Sequence, residues 1–206
     1  DAAQLAHDCA ANHVRHAQQS ADVLTIGVDD LARAVPAVMA WLAARGHAVR
    51  HLASGRATLE GYRKTGGYSA IEKAVADSPE HLVALITKSK LAGRGGAGFP
   101  TGKKWQMVAE ATGNPKTIVC NADEGEPGCF KDRALLDYDP HATLEGMILT
   151  ALATGATRGF IYLRYEYPDT QAILERAIAE AQAAGLLGKS ISGKARFDFE
   201  IYVRRG

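Results

Sequence analysis

Cysteine is scarce in this sequence, and the few cysteines are not arranged in pairs. Cys9, Cys120 and Cys129 are the only ones, too few and too widely spaced for a disulfide framework. No C-x-x-C pair occurs, so the spacing typical of zinc and iron–sulfur sites is missing. We therefore predict a protein of the reducing cytoplasm, with no metal site in this stretch.

An excess of charge of one sign and long hydrophobic runs are lacking as well. The 24 Lys and Arg residues nearly balance the 23 Asp and Glu residues, so nothing indicates the basic face with which proteins bind nucleic acid. The longest apolar stretch, residues 147–156, has about half the length that a membrane-spanning helix needs. The polar N-terminus has no signal-peptide core. Because it also lacks an initiator Met, we expect that Asp1 is not the start of the gene product.

Strand-like and helix-like segments alternate along the second part of the sequence. Three short apolar segments have the composition of strands: residues 117–120, 160–163 and 197–203. Start signals and apolar periodicity predict four helices, beginning near Pro79, Lys103, Pro140 and Pro168. This alternation predicts an α/β fold with a mostly parallel sheet flanked by helices.

The first part of the sequence has a smaller pattern of the same kind. Residues 22–28 indicate a strand, Asp29 or Asp30 can cap a following helix, and residues 47–52 indicate a second strand. This pattern predicts a small β-α-β leader.

Three domain boundaries follow from these patterns. The leader occupies residues 1–55, and the glycine-containing residues 56–78 are predicted to be a loop-like linker and lead-in. Residues 79–206 are then predicted to form the main domain.

The most informative motif is a glycine-rich segment, residues 93–105 (GRGGAGFPTGKKW). Five of its first ten residues are glycines, which let the backbone turn tightly and approach a ligand closely. Successive N–H groups and the start of the predicted helix form an anion site, to which Lys104 and Arg94 add positive charge. The pattern favours phosphate binding over a merely flexible connection. A P-loop NTPase is disfavoured, because Lys104 stands where that motif needs Ser or Thr.

A second motif, residues 120–133 (CNADEGEPGCFKDR), is acidic. Asp123, Glu124 and Glu126 follow a predicted strand directly, at the edge where open α/β sheets bind ligands. Carboxylates and the Asn121 amide suit the hydroxyl groups of a ribityl or ribose chain. They also repel an additional phosphate, which favours NADH over NADPH. The alternative is a solvated acidic turn, which the basic glycine loop makes less favourable.

These two motifs, with FKDR, EGM and YLR-EY, resemble the FMN- and NADH-binding flavoprotein subunit of respiratory complex I. They resemble equally the diaphorase subunits of NAD-linked formate dehydrogenases and NAD-reducing hydrogenases. The likeness extends from about Tyr62 to Gly206. The leader resembles the degenerate thioredoxin-like leader of some formate dehydrogenase flavoprotein subunits. The sequence departs from the family pattern at Tyr165, where a small or polar residue is usual.

The resemblance implies a subunit that passes hydride between NAD(H) and FMN and passes electrons on to Fe–S clusters. The protein itself then needs no catalytic base, because the cofactor supplies the chemistry. Glu126 and Phe99 are expected beside NADH, and Glu124 and Glu126 are expected to tune the site. The implied FMN contacts come from ten residues: Gly93, Arg94, Gly95, Gly96, Ala97, Gly98, Lys104, Asn121, Asp123 and Glu124.

The resemblance also implies partners and a larger protein. The expected partners are Fe–S electron-transfer subunits, including a [2Fe-2S] thioredoxin-like subunit. Family members continue beyond the position of Gly206, and their [4Fe-4S] cluster belongs to that later part. We therefore expect little oxidoreductase activity from these 206 residues alone. The alternative hypothesis is a non-catalytic assembly or interaction module of the same fold that cannot hold flavin, and the parent complex stays open.

Overall fold

The computed structural model describes residues 14–20, 23–28, 55–93, 97–193 and 197–206. In chain order the elements are β1 (Val14–Ser20), β2 (Val23–Val28), a 3-10 turn (Gly55–Ala57), α1 (Leu59–Lys64), α2 (Ser69–Val75), α3 (Pro79–Ser89), α4 (Thr101–Glu110), β3 (Thr117–Ala122), α5 (Lys131–Tyr138), α6 (Pro140–Thr154), β4 (Arg158–Leu163), α7 (Pro168–Ala183), a second 3-10 turn (Ile191–Gly193) and β5 (Glu200–Arg205). Among the described residues, no helix is both long and apolar enough to cross a bilayer.

The main sheet confirms the predicted α/β class. Its order is β3-β4-β5, and both pairs are parallel. The three carboxyl ends are in register, because Ala122 pairs with Leu163 and Leu163 pairs with Arg205. One edge of the sheet therefore collects the loops that follow all three strands, as the sequence predicts for the acidic motif.

The predicted third strand of this sheet begins later than expected. Residues 197–203 are predicted to be extended, whereas β5 starts at Glu200. The reason is that Phe199 pairs with Gly188 instead, through N–H···O bonds of 3.0 and 2.8 Å. This pairing closes the loop after α7 before the chain joins the sheet.

Helix α6 forms the centre of the hydrophobic core. Pro140 begins it, and Gly155, at φ +74°, ends it, as predicted. Leu144 and Ile148 on this helix and Ile161 on β4 are fully buried. Helix α6 covers one face of the sheet. Because successive residues of a strand point to opposite faces, alternate residues of β4 and β5 are buried under this helix.

The opposite face of the sheet is more exposed in the described part of the chain. The register places Val119, Phe160 and Tyr202 side by side on it. Val119 is 62% exposed, and the rings of Phe160 and Tyr202 stack at 5.6 Å. Parallel sheets are usually covered on both faces, so the described residues supply one of the two layers.

The predicted linker at residues 56–78 is largely helical and belongs to the core, which corrects the prediction of a loop. Helices α1 and α2 occupy most of it, and Tyr62 and Tyr68 are buried against α6. Glu145 accepts hydrogen bonds from the Tyr62 hydroxyl at 2.5 Å and from the Tyr68 N–H at 3.0 Å. Of the three glycines that indicated a loop, Gly61 lies within α1, whereas Gly66, at φ +88°, and Gly67 separate the two helices.

The leader is described only in part. Strand β2 confirms the strand predicted at residues 22–28. Its partner β1 was not predicted, and the two pair antiparallel, from Val14 with Val28 to Ser20 with Val23. The predicted helix after Asp30 and the strand at residues 47–52 lie outside the described residues.

Candidate functional site

The base of the glycine-rich loop is closed by backbone hydrogen bonds. Gly93 donates its N–H to the carbonyl of Phe99 at 2.9 Å, and Thr101 donates to Leu91 at 2.9 Å. Ala92 and Pro100 form an antiparallel bridge between them. The loop is thus a closed turn with a fixed base, and Gly98 within it has φ +59°, a conformation that favours glycine. The predicted site residues Arg94, Gly95 and Gly96 lie outside the described residues.

Helix α4 begins directly after this loop, two residues earlier than the sequence indicates. It starts at Thr101 because Pro100 fixes the preceding backbone, and Lys104 donates its N–H to the carbonyl of Pro100 at 3.1 Å. Pro100 makes no side-chain cap, and the Thr101 N–H is already bonded to Leu91, so the N–H groups of Gly102 and Lys103 are the first-turn donors left for a ligand. An unsatisfied helix N-terminus beside a glycine loop favours an anion.

Gly102 allows α4 to lie unusually close to α3. It is buried, and a Cβ placed on it would come within 2.6 Å of the Thr87 Cα and 2.7 Å of the Thr87 nitrogen. No side chain fits in that space without moving a backbone. Gly102 therefore fixes the position of the loop relative to α3.

Phe99 and Lys104 are neighbours at the mouth of this loop. The Lys104 Nζ lies 6.0 Å from the centroid of the Phe99 ring, at the limit of a cation–π contact. Phe99 is 39% exposed, so the face of its ring is accessible from solvent. A positive charge and an aromatic ring thus lie side by side at this loop.

The acidic loop begins at the carboxyl end of β3. Asn121 and Asp123 are exposed there, and the Asn121 Oδ1 accepts the N–H of Asp123 at 3.1 Å. This local bond turns the chain away from the strand and leaves the Asp123 carboxylate facing solvent. Glu126 is also exposed. These three side chains are available to a ligand, as predicted.

Glu124 differs from its neighbours, because it is buried. Its carboxylate accepts the N–H of Asp132 at 2.9 Å and the N–H of Arg133 at 3.2 Å. These are first-turn donors of α5, which has no cap from Phe130. Glu124 thus caps a helix that begins seven residues later, and it attaches the acidic loop to that helix.

Two residues of the YLR-EY motif, Arg164 and Tyr167, complete this corner. The Arg164 guanidinium donates to the carbonyl of Glu124 at 3.1 Å, and the Tyr167 hydroxyl donates to the Glu124 carboxylate at 3.4 Å. The Arg133 guanidinium lies 5.1 Å from the Tyr167 ring centroid. Both Arg164 and Tyr167 follow β4, so the signal that points to them is their position at the carboxyl end of a central strand.

Two pKa shifts describe the electrostatics of this corner. Burial raises the pKa of the Cys120 thiol, which keeps it protonated and is typical of a packing residue rather than a nucleophile. Loss of hydration, and then the nearby Glu124 carboxylate, raise the pKa of Tyr167. Tyr167 therefore acts as a hydrogen-bond donor at neutral pH.

The two predicted motifs are linked through the core helix. Helix α4 packs on α6, and α6 packs on β3, whose end carries the acidic loop. The fold thus holds the glycine-rich loop and the acidic loop on one scaffold. That combination can hold the phosphate and the sugar of a nucleotide.

Comparison with protein families gives a direct match to this site. The family described as the Nuo51 FMN-binding domain matches residues 86–206. This range contains α4, the whole parallel sheet and both motifs.

Individual relatives are similar over nearly the same region. An NADH-quinone oxidoreductase subunit of Aquifex aeolicus is 52% identical over 149 residues, which are 72% of this chain and 34% of that protein. NAD-reducing hydrogenase HoxS subunit alpha of Cupriavidus necator is 45% identical over 138 residues, 67% of this chain and 23% of that protein. The chain thus spans about a third or less of the length of these curated relatives.

A solved structure has a similar fold. A chain of NAD+-reducing [NiFe]-hydrogenase in the H2-reduced state superposes with a TM-score of 0.56 at 30% identity. The match covers 99% of this chain and 40% of the other.

Proposed function

Because the chain belongs to the family of Nuo51 FMN-binding domains, we propose that it supplies part of the site where an NADH:acceptor oxidoreductase holds FMN and NADH. The observation that carries this proposal is the closed glycine loop, followed at once by the uncapped start of α4. The names of the relatives, which are subunits of an NADH-quinone oxidoreductase and of an NAD-reducing hydrogenase, support the same activity.

The residues present fit FMN. The loop offers backbone N–H groups without Cβ atoms in the way, and Lys104 adds a positive charge. In this proposal the phosphate lies on Gly93, Arg94, Gly95, Gly96, Ala97, Gly98 and Lys104. Asn121 and Asp123 accept hydrogen bonds from the ribityl hydroxyls. Glu124 supports them from behind, since it holds the acidic loop on α5.

NADH is proposed to bind beside this pocket. Phe99 offers an accessible ring for stacking on a base, and Glu126 offers an exposed carboxylate in the acidic loop. When bound, FMN accepts a hydride from NADH and passes its two electrons on one at a time. The chain's own residues bind and orient the two nucleotides and repel the additional phosphate of NADPH. None of them is needed as a proton acceptor.

The partners and the arrangement of the protein are part of the same proposal. Fe–S electron-transfer subunits of a multisubunit complex are the proposed electron acceptors, among them a [2Fe-2S] thioredoxin-like subunit, with a [4Fe-4S] cluster in the later part of the family's sequence. We propose a cytoplasmic location and three segments, residues 1–55, 56–78 and 79–206. The close packing of Tyr62 and Tyr68 on α6 means that the second segment is a structural part of the third.

Flavin binding tests the proposal. Replacing Gly95 and Gly96 by Val is expected to abolish FMN retention, because the added side chains occupy the ligand's space. The measurement is titration of FMN into the purified chain, followed by flavin fluorescence. Gly113→Val is the matched control, because a Cβ at Gly113 meets nothing within 4 Å. Equal FMN affinity in the double variant and the wild type would refute the site.

The second candidate function is a non-catalytic module of the same fold. The exposed face of the sheet at Val119 favours it, because that face offers a surface for another polypeptide. If the chain is such a non-catalytic module, the wild-type chain would bind no FMN at any concentration tested. The FMN titration therefore separates the two functions directly.

A further inference from the structure

Tyr165 stands just beyond the carboxyl end of β4 and is held there by the neighbouring strand. Its N–H donates to the carbonyl of Gly206 at 3.0 Å, and the Gly206 N–H donates to Leu163 at 3.2 Å. The pairing thus continues to Tyr165, two residues past the end of β4, and to Gly206, one residue past the end of β5. The backbone of Tyr165 is fixed at the edge where the acidic loop also begins.

A cation lies against one face of the Tyr165 ring. The Arg205 guanidinium lies 4.9 Å from the ring centroid, and its Nη1 donates to the carbonyl of Tyr165 at 3.3 Å. Tyr165 is nevertheless 65% exposed. A ring that packs in a core loses most of its exposure, so this ring contributes little to folding. It is a positioned aromatic surface with a free face.

The other tyrosine of this corner has a different environment. Tyr167 is half-buried, and its hydroxyl and ring are occupied by Glu124 and Arg133. Of these two tyrosines, Tyr165 is therefore the one whose ring has a free face. Its side chain has only two rotatable bonds, so stacking a ligand on it costs little conformational entropy.

The position of Tyr165 fits a base that is attached to a ligand already at the site. Neighbouring strands lie about 4.8 Å apart, so Tyr165 is about 5–10 Å along the edge from the end of β3, where Asn121 and Asp123 begin the acidic loop. The glycine loop reaches the sheet from the β3 side, through α4 and α6. The β4–β5 side of the edge is thus left for a second nucleotide.

We propose that Tyr165, held by Arg205 and Gly206, is a stacking platform for a base of the dinucleotide NAD(H), an inference that rests on the function proposed above. The chemistry is the offset stacking of a flat heteroaromatic ring on a phenol ring whose other face is covered by a guanidinium. Tyr165 then determines dinucleotide affinity and leaves FMN affinity unchanged.

The test measures NADH binding and FMN binding separately on the whole 206-residue chain. Saturation-transfer difference NMR gives the NADH dissociation constant and shows which NADH protons contact the protein. Tyr165→Ala is expected to weaken NADH binding about 5- to 100-fold, the usual effect of removing one stacked base. The saturation of the base protons should fall more than that of the ribose protons. Tyr165→Phe is expected to stay within about twofold of wild type, because it keeps the ring.

Tyr202→Ala is the matched control. Tyr202 is also backed by an arginine, with the Arg204 guanidinium 5.5 Å from its ring centroid, but it lies on the face of the sheet beside Phe160. Its removal is expected to leave NADH binding unchanged. Circular dichroism confirms that each variant is folded.

Four results would overturn the inference. An unchanged NADH affinity in Tyr165→Ala would refute the platform while the proposed function stands. An equal loss of NADH and FMN binding would show that Tyr165 only supports the site as a whole. A wild-type chain that binds FMN but no NADH would remove the dinucleotide site itself, and one that binds neither would refute the proposed function as well.

Discussion

The carboxylate of Glu124 accepts the backbone N–H of Asp132 at 2.9 Å, and this bond joins the acidic loop to the first turn of α5. The two residues are eight positions apart, so the contact is not a usual capping box, in which the partners are three positions apart. It forms because the chain turns back on itself between β3 and α5. The acidic motif therefore contains one structural carboxylate among exposed ones.

Removal of this cap should destabilise the chain. Glu124→Ala leaves two first-turn N–H groups of α5 without their partner in a partly buried place, and we expect a loss of about 1–2 kcal/mol in the free energy of unfolding. Urea denaturation followed by circular dichroism measures it. Glu126→Ala is the control, because Glu126 is exposed and should change stability by less than about 0.5 kcal/mol. Equal stability of the two variants would contradict the capping role.

Gly102 should be intolerant of even a methyl group. In Gly102→Ala the new Cβ meets the Thr87 Cα and nitrogen at 2.6 and 2.7 Å, so α3 and α4 must separate. We expect a cost of about 1–3 kcal/mol in the free energy of unfolding, typical of an overpacked contact. Thr87→Ser should not rescue it, because the clash is with the backbone.

Gly113→Ala serves as the control for this substitution. A Cβ at Gly113 has open space around it, so the free energy of unfolding of Gly113→Ala should stay close to that of the wild type. A Gly102→Ala variant as stable as Gly113→Ala would show that the two helices are free to move apart.

His141 should make the chain sensitive to acid. The residue is fully buried; its Nδ1 pairs with the Tyr68 hydroxyl at 2.8 Å and its Nε2 with Glu180 at 3.2 Å. Burial lowers the pKa of His141 from its usual 6.5, although Glu180 and Asp139 oppose the shift. The folded chain thus binds fewer protons here than the unfolded chain. Its contribution to stability is present above pH 6.5 and is lost as the pH falls through the lowered pKa.

The stability lost through this residue between pH 7 and pH 5 has an upper limit of about 2 kcal/mol, because the fall from the usual pKa of 6.5 to pH 5 spans about 1.5 pH units. The measurement compares urea denaturation of wild type and His141→Asn at both pH values. The difference between the two proteins isolates the contribution of the histidine. This comparison is needed because burial raises the pKa of Asp139, and the stability contribution of Asp139 therefore has the opposite pH dependence. A parallel loss in both proteins would assign the acid sensitivity to other groups.

Glu126 should contribute to the choice between NADH and NADPH. Glu124 and Glu126 are both predicted to repel the additional phosphate, but the Glu124 carboxylate is buried and occupied by α5. Glu126→Gln is therefore expected to favour NADPH by about 1–3 kcal/mol relative to NADH. The ratio of the two dissociation constants, measured by saturation-transfer NMR, reports the change. Lys131→Met is the control, because it changes a charge outside the proposed binding residues. An unaltered ratio of the two dissociation constants in Glu126→Gln would show that other residues discriminate between NADH and NADPH.

Local patterns in the sequence determined the main helices and the strands of the sheet. Pro140 and Pro168 begin helices, Gly155 ends one, and β3 follows from a short apolar run. These signals act over a few residues, so they can be recognised without knowledge of distant contacts. The glycine loop and the acidic loop were recognised for the same reason, since each is a continuous motif.

Only the tertiary structure decided the parts that depend on distant contacts. Residues 56–78 form helices because Tyr62 and Tyr68 become buried against Glu145 and His141, about eighty positions away in the sequence. Helix α5 begins where Glu124 caps it, and Tyr165 becomes a fixed aromatic surface only when β5 brings Arg205 beside it. Burial and long-range hydrogen bonds assign these roles, and neither leaves a periodic trace in the local sequence.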